Sequence, residues 1–355
     1  MGRRRQSVTI KHVAADAGVS LQTVSRVINN EANVRPEMKE RVQASIDKLG
    51  YVPSIAAQRM SGSRSYIILA LNDRERTIET WNAREGNDWV DQMLMGGMLK
   101  CAEYGYRLMF ELVDTHDDNI QRELKGTIAA LQPDGVVLTP PHSDNPLITD
   151  LLTKHRIPFA CIGARDTACA ISLTMSDNAM ARKATSYLVG KGHRRIGFIG
   201  GSPEYALSAR REAGWRETMA EAGLPVEGLF ADGDFSFESG EKAARALLSK
   251  ARRPSAIIAC NDQMAMATNS VAHALGLKVP GDLSIVSFDN TPVVRFVQPP
   301  LTAIDQPIAQ TVSRAVELLI LANRGEELPH MPVAIEGELI ERASVRAMRD
   351  ARTDA

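Results

Sequence analysis

Gln22 and Arg26 stand one helical turn apart, with Leu21 just before them and Val24, Val27 and Ile28 on the opposite side of the same stretch. An amide and a guanidinium presented together can read base edges. Gln matches adenine through two hydrogen bonds, and Arg matches guanine O6 and N7. A second polar set follows apolar runs further along. Asn261 and Asp262 come after SAIIAC, Asp289 and Asn290 after SIVSF, and Thr139 with Pro140 and Pro141 after GVVL. Arg211 lies in SARREAGW, Asp234 and Phe235 in GDFSFESG, and Gln306 in TAIDQP. Carboxylates and amides that exchange hydrogen bonds with hydroxyls, a forked Arg and an aromatic over an apolar ring face are what a sugar site needs. Residues at such positions also cap helices, and for Asp262 and Asn290 capping stands as an equal alternative.

The first set needs two short helices to hold it. In TIKHVAADAGVSLQTVSRVI (9–28), Ile10, Val13, Ala14 and Ala17 recur at i, i+3, i+4 and i+7, which predicts one apolar helix face. Thr9 is placed to cap that helix, Gly18 to end it in a left-handed conformation, and Ser20 to cap the next. This is a helix-turn-helix reader of duplex DNA. The hydroxyls of Thr9, Ser20, Thr23 and Ser25 and the amide of Asn29 suit phosphates, which set register rather than sequence. A helical pair packed inside a larger domain is the plainer alternative, but turn, caps and polar face agree on the reader. A third helix begins near Pro36, with Met38, Val42, Ile46 and Leu49 as its stripe and Gly50 as its end. In YVPSIAAQRMSGSRS (51–65), Pro53 breaks the chain, Ser54 can cap a short helix to Met60, and Ser61–Gly62–Ser63 reads as linker. Arg3, Arg4 and Arg5 form either a solvated tail or extra phosphate contacts.

From Ser65 the texture changes. Strand-like runs at 66–71, 107–113, 135–139, 158–162, 195–200, 255–260 and 284–288 alternate with helical patterns at 91–104, 118–131, 178–190, 209–222, 238–250 and 262–275. Such alternation predicts an α/β body of parallel sheets covered by helices, with ligands at the carboxyl ends of strands. After Pro299–Pro300, a helix from 308 carries Ile308, Val312, Ala315, Val316, Leu319 and Ile320 on one side, as core or as dimer face.

The 355 residues allow two or three domains. The net charge of −1 is not that of a nucleic-acid binder, but its distribution is. Residues 1–64 hold eleven Lys and Arg against five Asp and Glu, and the remainder 31 against 38. A basic head on an acidic body fits a DNA-binding head on a sensor. Cys101, Cys161, Cys169 and Cys260 form no CxxC and read as reduced. No apolar signal core or membrane-length run stands out, so the chain reads as cytoplasmic.

VTIKHVAADAGVSLQTVSRVIN (8–29) and KLGYVPSIAAQRM (48–60) resemble the LacI/GalR (lactose-repressor-like) transcription-factor family, and the likeness extends over nearly the whole chain. The resemblance implies a base-reading trio of Leu21, Gln22 and Arg26. It implies a hinge helix, including Ala57, that orders on operator DNA and inserts Met60 into the minor groove where the family commonly has Leu. It implies a two-lobed, periplasmic-binding-protein-like body with crossovers near 175, 305 and 335. Arg211, Asn261 and Asp289 match effector-contacting positions of the family, and Phe235 an aromatic one; Thr139 and Gln306 complete the candidate set. The divisions are then a head at 1–52, a hinge at 53–64, an effector-binding and dimerisation domain at 65–345 and a tail at 346–355. The partners implied are a palindromic operator, a second copy of the chain and a small ligand, a sugar or, as in some relatives, a purine corepressor. No cofactor and no membrane are implied.

Arg35 stands where the family has a Ser or Thr before the third helix. Residues 72–88 are longer and more charged than the family's loop. They are open between reaching the ligand with Trp81, covering the cleft and sitting in solvent, so no strand-one contact is carried over. An enzyme is the remaining alternative, without support from motifs. GFIGG (197–201) lacks GxGxxG spacing, there is no GKS, GKT, GxSxG or HExxH, and His116 and His142 read as surface loop residues.

Overall fold

The computed structural model describes residues 8–28, 33–51, 64–84, 86, 88–115, 119–165 and 169–348. The chain forms two units, Met1–Tyr66 and Ile67–Ala355.

In the first unit, α1 (Ile10–Ala17), α2 (Leu21–Ile28) and α3 (Pro36–Leu49) enclose one small core. Val13, Ala14, Ala17, Val24 and Val42 fill it, closed by Tyr51. Gly18 takes φ 63°, the left-handed turn that α1 needs to give way to α2. Polar groups tie α1 to α3. Asp16 accepts from Ser45 Oγ and Lys48 Nζ, both at 2.7 Å, and Arg41 Nη2 donates to Ala17 O. Arg35 precedes α3 without a side-chain cap, and Pro36 takes the first turn instead.

The second unit has two six-stranded sheets. Lobe 1 orders its strands β11-β5-β4-β3-β1-β2 and lobe 2 orders them β12-β10-β9-β8-β6-β7. Lobe 1 contains β1 (Ile67–Asp73), α4 (Arg74–Ala83), α5 (Asp88–Glu103), β2 (Arg107–Val113), α6 (Ile120–Leu131), β3 (Gly135–Leu138), α7 (Pro146–Lys154), β4 (Phe159–Ile162) and β5 (Ile171–Thr174). The chain crosses to lobe 2 for α8 (Asp177–Gly190), β6 (Ile196–Ile199), α9 (Ala206–Glu221), β7 (Phe230–Ala231), α10 (Phe237–Leu248), β8 (Ala256–Ala259), α11 (Asp262–Ala274), β9 (Ser284–Asp289) and β10 (Thr302–Asp305). It returns for α12 (Ile308–Asn323) and β11 (Val333–Ala334), then crosses again to β12 (Glu338–Ile340). Among the described residues only the β10–β12 pair is antiparallel. The central strands are buried on both faces, which is why they read as unbroken β-branched runs.

Strand order reverses beside β1 in lobe 1 and beside β6 in lobe 2, so each sheet opens a crevice at its carboxyl edge there. The stripe on α12 is core: Ile308, Val312, Ala315, Val316, Leu319 and Ile320 are all buried within the chain. α12 packs against α5 so closely that a Cβ on Gly96 would stand 2.1 Å from Ala309 O. That leaves Met95, Met98 and Leu99 exposed on the outer side of α5.

Two expectations are corrected here. Cys161 and Cys169 are joined by a disulfide, and only Cys101 and Cys260 are free. β4 and β5 are parallel neighbours with Cys161 opposite Ser172, and Cys169, two residues before β5, is bonded to Cys161. His142 is fully buried rather than on a surface loop. Its Nε2 lies 3.0 Å from Val113 O, and burial pushes its pKa down. His116 lies outside the described residues.

Candidate functional site

α2 owes its start to Ser20, whose Oγ accepts from Thr23 N at 3.1 Å. Val24 is buried, and the helix turns Leu21, Gln22 and Arg26 outward. Thr9 is exposed before α1, its N–H donating to His12 Nδ1 at 3.0 Å, and Thr23 and Ser25 are half-buried along α2. Leu21, Gln22 and Arg26 are thus exposed together on one short helix. Asn29, Ala57 and Met60 lie outside the described residues.

In the second unit both crevices open onto one cavity of about 450 Å³, within the roughly 300–1,000 Å³ of small-molecule sites. Arg211, Phe235, Asn261, Asp289 and Gln306 all line it. Thr139 does not. Its side chain is buried and donates to Leu71 O at 3.2 Å, leaving Pro140 to line the cavity at that strand end.

The floor of the cavity is a charge network. Arg211 is 1% exposed, donates from Nε to Asp177 Oδ1 at 2.9 Å and from Nη1 to Cys260 O, and lies 4.3 Å over the Phe288 ring. Gln306, with its amide nitrogen toward Asp289, donates to Oδ1 at 3.1 Å and accepts from Arg211 Nη2. Burial, then the Asp289 charge, pushes the Asp262 carboxyl up to about 7. Burial pushes Asp289 up to about 6 against the pull of Arg211. Asp289 sits at φ 93°, a conformation that a non-glycine residue adopts at a cost and that recurs at binding sites.

Capping explains part of the set. Asn261 caps α11, accepting from Met264 N at 3.0 Å, while its Nδ2 donates to Phe235 O at 2.8 Å. Asp262 accepts from Ser287 Oγ and from Thr291 N, and Asn290 bonds Asp305 at 2.9 Å. Asp234 orders the turn into α10 by accepting from Ser236 N. Phe235 holds its ring against Tyr205, centroids 5.7 Å apart and edge-on. Gly201 makes room for it, since a Cβ there would meet Phe235 Cζ at 2.1 Å. This is what the last glycine of GFIGG does.

Of the alternatives left open for residues 72–88, the structure shows them lining the cavity from lobe 1. Residues 74–83 form α4, capped by Asp73, which accepts from Arg76 N at 3.1 Å. Arg76, Thr77 and Thr80 face the cavity from α4, and Asp88, Trp89 and Asp91 from the start of α5. Trp81 is 68% exposed and is not among the lining residues, so the tryptophan that reaches the cavity is Trp89. Arg76 crosses to lobe 2, donating to Asp234 O at 3.2 Å with its guanidinium 5.3 Å from the Phe235 ring centre. Tyr205 returns the contact from lobe 2, its hydroxyl donating to Asp73 Oδ2 at 3.2 Å. On the other flank, Arg165 Nη2 donates to Pro203 O and Glu204 O, both at 2.9 Å, and Arg210 donates to Gly163 O and Ala164 O.

A helix-turn-helix unit joined to a two-lobed body with a ligand-sized cleft defines a DNA-binding regulator with a sensor. The chain belongs to the LacI family of bacterial regulatory proteins. Residues 9–54 match the family model "Bacterial regulatory proteins, lacI family", and residues 185–345 match "Periplasmic binding protein-like domain". It is 32% identical over 350 residues to the HTH-type transcriptional regulator CelR of Thermobifida fusca, covering 96% of this chain and 99% of that one. It is 33% identical over 345 residues to the HTH-type transcriptional repressor PurR of Salmonella typhi, covering 95% and 96%. Among solved structures, a CelR–cellobiose complex matches with TM-score 0.71 at 29% identity, over 95% of this chain and 99% of that one. A lac repressor dimer bound to operator matches with TM-score 0.75 at 24% identity, over 96% and 100%, a likeness of fold. The protein is a sequence-specific DNA-binding transcriptional regulator, as the stretches at 8–29 and 48–60 imply. Among the described residues no helix is long and apolar enough to cross a membrane.

Proposed function

We propose that the protein represses a carbohydrate-utilisation operon from a palindromic operator and is released when a sugar enters the cleft. The observation that carries this reading is the cavity itself. It sets acceptor groups of Asp289, Asn261 and Gln306 beside the aromatic faces of Phe235, Tyr205 and Trp89, as polyhydroxylated rings require. Leu21, Gln22 and Arg26 read bases in the major groove, and Thr9, Ser20, Thr23, Ser25 and Asn29 hold phosphates. Ala57 and Met60 belong to the hinge segment, with Met60 as the minor-groove wedge.

The acting species is a homodimer, since one head covers only half a palindrome. The exposed Met95, Met98 and Leu99 of α5 supply an apolar face for the second copy. A sugar that holds the lobes at a new angle separates the paired hinges and weakens DNA binding. The same aromatic faces also suit a purine, and PurR is among the relatives. In that second reading the ligand tightens DNA binding. The relatives are regulators rather than enzymes, so the cleft binds without turnover, in the cytoplasm beside the DNA.

Thermal melting of the full-length protein against neutral sugars and purines tests the choice. A ligand at about a hundred times its Kd adds about 2.7 kcal/mol. Shifts confined to sugars support the inducer reading, and shifts confined to purines replace it with the corepressor one.

A further inference from the structure

The wall of the cavity contributed by lobe 1 comes almost wholly from residues 72–91, with Pro140 the exception. Its charge is one-sided. Asp73, Asp88 and Asp91 face Asp262 and Asp289 of lobe 2, against two guanidiniums, Arg76 and Arg211. Arg211 is spent on Asp177, Cys260 O and Gln306, and Arg76 on Asp234 O and the aromatic rings. Asp73 and Asp262 are likewise engaged, by Arg76 N and Tyr205 in one case and by Ser287 and Thr291 in the other.

Asp88 differs. Gln92 Nε2 donates to its Oδ2 at 2.6 Å, and no lysine or arginine among the described residues pairs with it. It stands near enough to Asp289 that its charge adds to the burial that already raises that carboxyl. Two carboxylates facing each other across a cleft call for hydrogen-bond donors between them, and a bound anion there is repelled. The cavity, at about 450 Å³ with Trp89 on one side and Tyr205 and Phe235 on the other, exceeds what a single pyranose fills.

Resting on the carbohydrate reading above, we propose that Asp88 makes this cleft selective for uncharged glycans of disaccharide size and turns away sugar phosphates and uronates of the same length. Its carboxylate accepts from sugar hydroxyls, and its charge acts over the few ångströms that separate it from a phosphate or carboxylate in the same cavity. At such range one uncompensated charge weakens an anionic ligand by at least about tenfold.

The test is calorimetric titration of the full-length protein with cellobiose, maltose and xylobiose, each beside its phosphorylated or uronate counterpart. The neutral member of a pair is expected to bind at least about tenfold more tightly, with the gap narrowing as salt is raised. Asp88→Asn is expected to close most of that gap while changing neutral binding less, with operator binding as the check on folding. Asp91→Asn, more exposed on the same helix, is expected to narrow the gap without abolishing it. An anionic counterpart that binds as tightly as its neutral partner overturns the proposal, as does a gap that Asp88→Asn leaves unchanged. A flat neutral series, or binding of hypoxanthine alone, removes the carbohydrate reading itself, which is a different failure.

Discussion

Arg211 lines the cavity, yet its hydrogen bonds are spent inside the protein. At 1% exposure it is the cation beside the buried Asp177 and the half-buried Asp289. Arg211→Ala leaves those carboxylates without their partner, and unfolding free energy should fall by about 3–5 kcal/mol. Denaturant melts check this; a loss under about 1 kcal/mol would mean the network does not need its arginine. Asp289→Asn is the cleaner probe of the cleft. It removes a charged acceptor and should weaken ligand by about 1.5–3 kcal/mol while operator binding stays. Unchanged ligand affinity would remove Asp289 from the site. The same acids make stability depend on pH. Asp262 and Asp289 hold protons up to about 7 and about 6 in the folded state, well above an unfolded carboxyl. Between about pH 4 and 7 the folded state therefore binds more protons than the unfolded one, and their contribution to stability is lost as pH rises. Asp262→Asn should flatten that part of the melting profile, and a profile of unchanged slope would show that Asp262 ionises normally.

At the scale of elements, the disulfide ties β4 to the connection before β5, whose backbone at Gly163 and Ala164 accepts from Arg210 of lobe 2. Cys101 and Cys260 are buried, and burial pushes both thiols up to about 12. Thiol titration should thus find no reactive cysteine in the native protein, the two free ones after denaturation, and all four only after reduction. Four thiols in the unreduced, denatured chain would show the pair to be open, as is usual for cytosolic proteins.

The elements differ in how much of them could be read beforehand. GVVL and SAIIAC announced β3 and β8 because a strand buried on both faces must be apolar throughout. Two-residue β7 and β11 and the half-polar ISLT of β5 carry no such run. α4 was hidden for a related reason: none of its residues is buried, so RERTIETWNA shows no apolar period, and only Asp73 as a cap marked it. In the lobe 2 half of the cleft, Asn261 and Asp289 were legible because they stand at the ends of strong strands. The lobe 1 half was not, because Thr139 turns inward and α4 with the start of α5 takes over the wall.

At the scale of the molecule, a basic head precedes an acidic body. The head fixes sequence. Arg26→Ala should relax preference at one base pair in each half-site, at about 1–3 kcal/mol, and a panel of mutated operators reads this directly. The sensor fixes when the head lets go. Fluorescence anisotropy of labelled operator with the full-length protein, titrated with the neutral disaccharide that raises its melting temperature most, joins both halves in one observation. Loss of anisotropy over the same concentrations that saturate the cleft is the result predicted, with Asp289→Asn shifting the curve to higher sugar. Operator that stays bound, or binds more tightly, while the cleft fills would contradict release by sugar.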